Sequence, residues 1–143
     1  MNFLLPLLFT CLLASCAAKR PAQPETYGAQ VGIVNHTGKF IYSATVNGQG
    51  GGGMARWGIG NAGVCCVMLP LARQPGLQVI VKWDMPEDSK HYYQERNVDL
   101  EVFEEGNSVY LHFFSDGSVR AVVSRYAAFS RNHPIQHHGK VLD

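Results

Sequence analysis

Charge is scarce in this chain and neither sign prevails. Charged residues make up 16% of the 143 positions, and 12 Lys and Arg against 11 Asp and Glu leave a formal net charge of +1. Nucleic-acid binding draws most of its non-specific affinity from clustered basic side chains, so a nucleic-acid partner is not expected. A strong, capped helical period is also lacking, which argues against a helical bundle or coiled coil. No Gly-x-Ser-x-Gly and no His-Glu-x-x-His occurs, so neither a hydrolase elbow nor a zincin site is signalled. The expectation is a protein that is not an enzyme and uses no metal or cofactor. What the chain does have is 46% hydrophobic residues with 15 Gly and 7 Pro, the composition of one turn-rich globular domain.

The one long apolar run, Phe3 to Leu13, is shorter than the ~20 residues that span a bilayer and suits the apolar region of a secretory signal. It leads into Leu13-Ala14-Ser15-Cys16, which resembles the lipobox of bacterial lipoproteins. That resemblance implies cleavage before Cys16 and lipidation of its sulfur and new amino group, a stable membrane anchor without a transmembrane helix. Residues 1–15 are then a signal peptide and 16–27 a Pro-containing tether. Ala17 follows the cysteine where an inner-membrane retention signal would have Asp, so the expected address is the periplasmic face of the outer membrane.

Alternation with period two marks strands from there on. Phe40, Tyr42, Ala44 and Val46 form one series; Leu77, Val79, Val81 and Trp83 another; Val98, Leu100 and Val102 a third. Val109, Leu111 and Phe113 run into the Asp116-Gly117 turn, after which Val119, Ala121 and Val123 resume, the clearest hairpin. Further strands are expected at Gln30 to Asn35 and Val64 to Leu69. About seven strands with short connections predict an all-β domain over 28–129, an antiparallel β-sandwich or small open barrel, followed by a tail over 130–143 that is poorly ordered or laid across the surface.

Few residues invite a chemical reading. Cys65 and Cys66 are neighbours and cannot close a loop, which leaves a vicinal disulfide or a pair of buried thiols. Gly48 to Gly63 is glycine-rich but has no Gly-Lys-Ser/Thr ending and no following helix, so it reads as a long loop and not a phosphate cradle. Arg56 and Trp57, the large side chains in its middle, belong to types enriched in interface hot spots, although Trp57 equally suits an end of the core. His133, His137 and His138 have metal-compatible spacing only on a helix, and Pro134 argues for a solvated tail. His112, on a strand face, reads as a packed or surface histidine.

The run Val64-Cys65-Cys66-Val67-Met68-Leu69-Pro70, with Pro75-Gly76-Leu77-Gln78-Val79-Ile80-Val81-Lys82-Trp83 after it, resembles the central signature of a family of small Gram-negative lipoproteins catalogued as a domain of unknown function. Asn35-His36-Thr37, Val46-Asn47-Gly48 and Val109-Tyr110-Leu111-His112-Phe113-Phe114 extend the resemblance over roughly Gly28 to Ser124. Ala72-Arg73-Gln74 stands where that family often carries a Trp. The family includes immunity proteins of type VI secretion phospholipase effectors. The resemblance therefore implies a lipid-anchored protein that binds and inhibits such an effector, with an envelope-structural or assembly lipoprotein as the alternative.

Overall fold

The computed structural model describes residues 19–139, so the signal segment and Cys16 lie outside the described residues. Eight strands are present among them: β1 (Thr26–His36), β2 (Ile41–Val46), β3 (Gln49–Met54), β4 (Val64–Pro70), β5 (Gln78–Asp84), β6 (Tyr93–Phe103), β7 (Ser108–Phe114) and β8 (Val119–Ser124). They form one sheet in the order β3-β2-β5-β6-β8-β7-β1-β4. The sheet curls until its two edge strands approach, giving a small, nearly closed barrel.

Alternation builds the barrel core. Val79, Val81 and Trp83 of β5 point inward, meeting Val46 of β2, Val67 and Leu69 of β4, and Leu111 and Phe113 of β7. Trp83 and Phe113 pack edge to face at 5.6 Å, an arrangement that aromatic quadrupoles favour.

Three features depart from the sequence expectation. The sheet is mixed: β1 runs parallel to β7 and β6 parallel to β8, whereas the other ladders are antiparallel. Residues 49–54, expected within a loop, form β3. Glycine is what permits that strand, since a Cβ at Gly53 would come within 2.7 Å of Tyr42 O and 2.8 Å of Ile41 O. Finally, β6 starts at Tyr93, well before its apolar alternation begins at Val98. Its first half pairs only with β5, because the β8 ladder begins at Leu100, so residues 93–97 stay exposed.

A second, smaller core lies outside the barrel. Val34, Tyr110 and Val122 face away from the main core and are covered by Ala128 and Ile135 of the C-terminal segment. β1, β7 and β8 are therefore buried on both faces, which explains their nearly unbroken buried runs.

Candidate partner-binding surface

At the barrel end where β5 runs out and β6 begins, Asp84 is fully buried although it is a carboxylate. Its Oδ1 accepts the Tyr92 N–H at 2.9 Å and its Oδ2 meets His91 Nδ1 at 2.5 Å. A carboxylate can only accept, so His91 donates from Nδ1 and is held by its base. The outer half of the ring remains exposed. Tyr42 of β2 packs edge-on against it at 5.0 Å, and Tyr93 of β6 stacks on it at 5.8 Å. Tyr42 and Tyr93 are 56% and 75% exposed, so a His flanked by two tyrosines stands on the surface with its foot fixed in the fold.

Behind this surface the barrel mouth holds a cavity of about 410 Å³. Trp83, Met85, Phe113 and Val119 give it an apolar floor, while Lys39, Gln94 and Ser118 contribute polar groups. Tyr93 and Gln94 are consecutive on β6, so one looks outward and the other lines the mouth. Lys39 is ion-paired with Glu87 on the rim.

Asn35 builds the neighbouring turn. Its buried Oδ1 accepts from Thr37 N and Thr37 Oγ1, and its Nδ2 donates to Lys39 O and Ala55 O. The last of these bonds brings the turn with Arg56 and Trp57 to the same end. Arg56 is exposed. Trp57 is half-buried, lies against Gly38, and donates its backbone N–H to Thr37 O, so it packs one turn onto another.

Cys65 and Cys66 are joined to each other on β4. Neither is buried: Cys65 is exposed and Cys66 half-buried. The reading as buried thiols is thus corrected, because the start of β4 lies on the open edge of the sheet, and its core contacts begin only at Val67.

The solvated reading of the C-terminal histidines is corrected. The tail lies across the sheet, with His133 buried and His137 half-buried, although His138 is exposed. His36 Nε2 and His112 Nδ1 are 2.9 Å apart, and His112 Nε2 and His133 Nε2 3.0 Å. Burial, then the proximity of His137, His138 and Arg120, pushes His36 down to about 4. Burial, then the neighbouring His36, His133, Arg120 and His137, pushes His112 down to about 2. The rings bond to one another, and no group of three or more metal-binding side chains is arranged to hold an ion among the described residues. Spacing along the chain pointed only to the tail, since the partners His36 and His112 are brought in by the parallel β1–β7 ladder, which pairs Val34 with His112 and His36 with Phe114.

No helix among the described residues is long and apolar enough to cross a membrane. No curated protein and no solved structure matches the chain. Residues 34–121, which run from β1 into β8 and make up more than half of the sequence, match the family described as Protein of unknown function (DUF3304), and the chain belongs to that family.

Proposed function

We propose that this protein works by binding another protein: it is an immunity protein that inhibits a type VI secretion phospholipase effector from the periplasmic face of the outer membrane, anchored through Cys16. The observation that carries a binding role is the Tyr42-His91-Tyr93 surface. Tyrosine offers a large amphipathic contact area at little conformational cost, and such residues dominate interface energetics. The buried Asp84 fixes His91 before any partner arrives, which lowers the ordering cost of association. The identity of the partner rests on the resemblance carried by Val64 to Trp83, and the membrane address on Leu13-Ala14-Ser15-Cys16.

Inhibition by this route needs no chemistry on the protein's side. It needs a surface that covers the effector's entrance, and a standard interface buries ~1,600 Å² in total. Arg56, exposed at the same barrel end, fits as an additional contact. The test is co-purification with, and inhibition of, a phospholipase encoded beside this protein, at near-equimolar ratio. Failure to bind or inhibit it would turn the decision to an envelope-structural lipoprotein. Separately, Cys16→Ser should give an unprocessed or soluble species, and a variant that fractionates with membranes and matures normally would remove the anchor.

A further inference from the structure

We infer that His36, His112 and His133 form an acid-released latch that fastens the C-terminal segment, residues 125–139, over the outer face of β1, β7 and β8. The argument starts at one carbonyl. His133 Nδ1 lies 2.9 Å from Tyr126 O, and because a carbonyl only accepts, Nδ1 carries the proton and Nε2 of the neutral ring is the acceptor. His112 Nε2, 3.0 Å away, must then donate, which leaves His112 Nδ1 to accept from His36 Nε2 at 2.9 Å. Three tautomers follow in sequence from a single backbone oxygen. The closed chain has room for one added proton, at the free Nδ1 of His36; any further proton sets two N–H groups against each other.

That first proton is opposed by burial and by like charge. Arg120 faces the chain from β8, its guanidinium held bidentately by Glu101 of β6, with Nε donating to Oε1 and Nη2 to Oε2. His137 and His138 approach from the segment itself. Tyr110 of β7 packs edge-on against His133, and Phe114 stacks on His36.

The segment is otherwise fastened by the apolar contacts of Ala128 and Ile135, by His137 Nε2, which donates to Asn35 O at 3.1 Å, and at its start by Arg125, whose backbone N–H donates to Glu104 Oε2 and whose guanidinium pairs with the same carboxylate. Lifting it returns His36 and His112 to water and to the ordinary histidine affinity for protons. At pH 5.5 a histidine freed in this way favours the open form by about tenfold. His112, the deeply buried member, supplies that factor, and the partly exposed His36 adds a smaller one. The face uncovered is apolar, with Val34, Tyr110 and Val122 at its centre.

Residue-resolved amide hydrogen exchange on the full chain between pH 7.5 and 5.5, with each rate divided by its intrinsic chemical rate, tests the latch. Protection of the Ser130 and His133 amides should fall at least tenfold over this range and remain below that of Leu111 and Val122 throughout. A fall of less than tenfold, or protection equal to that of Leu111 at each pH, overturns the proposal. In His112→Gln the pH dependence should shrink to threefold or less; an undiminished dependence overturns the latch. Should that variant fail to fold, ring-nitrogen NMR of the parent protein at pH 7.5 decides. It should show His112 protonated on Nε2 and unprotonated on Nδ1, and the opposite tautomer overturns the proposal.

Discussion

Asp84 and His91 form a pair with one member fully buried and the other half in water, joined at 2.5 Å between Oδ2 and Nδ1. Burying a carboxylate is costly unless its lone pairs are met, and here the His91 ring and the Tyr92 N–H meet them. The pair therefore converts a polar defect of the barrel wall into a rigid support for a surface side chain. Asp84→Ala should leave the Tyr92 N–H without its acceptor and cost about 1–3 kcal/mol in urea unfolding. Unchanged stability would show that the carboxylate is not what organises this corner.

The binding role proposed for Tyr42 and Tyr93 is separable from folding. Both are largely exposed, so Tyr42→Ala with Tyr93→Ala should keep the thermal midpoint within a few degrees. Loss of a hot-spot aromatic costs about 2 kcal/mol or more, which is roughly thirtyfold in affinity for the proposed partner. Titration calorimetry reads this directly, and full affinity in the folded double variant would move the contact surface elsewhere.

Acid should weaken the fold through His112. Its proton affinity is lower folded than unfolded, dropping from the ordinary 6.5 to about 2. The unfolded chain thus binds a proton that the folded chain refuses. Stability from this group is complete above pH 6.5 and declines as pH falls toward 2, by up to about 1.4 kcal/mol per pH unit. His36, down to about 4, adds a contribution in the same direction between 6.5 and 4, reduced by its exposure to solvent. Chemical denaturation at pH 7 and pH 5 should differ by about 2 kcal/mol from His112 alone, and His112→Gln should remove that part of the difference.

Gly32 has no room for a side chain. A Cβ there would lie 2.6 and 2.7 Å from the ring of Tyr110 and 3.1 Å from Ala62 N. Tyr110 is itself buried under the C-terminal segment and has nowhere to swing. Gly32→Ala should cost about 1–3 kcal/mol by overpacking. The thermal midpoint measures it, and a neutral result would mean that the second core is loosely packed.

Local patterning by itself determined which segments are strands wherever one face meets the core. Val79, Val81 and Trp83, or Val119, Ala121 and Val123, declare their inward side because a strand side chain has only two directions to point. The Asp116-Gly117 turn was legible for a similar reason, since Gly117 adopts a φ of 82° that few other residues tolerate. Where no side chain marks a face, the pattern is silent: four of the six residues of β3 are glycine, and the first half of β6 is exposed on both sides. Only the tertiary structure decided those strands, the parallel pairings of β1 with β7 and of β6 with β8, and both candidate sites. Asp84 and His91 share a site because β5 and β6 are antiparallel neighbours whose ends meet at the barrel mouth. His36, His112 and His133 meet because two distant strands lie side by side and the C-terminal segment folds back across them. Contacts of this kind depend on which elements pack together, and that is settled by the burial of the whole chain, not by the spacing of residues along it.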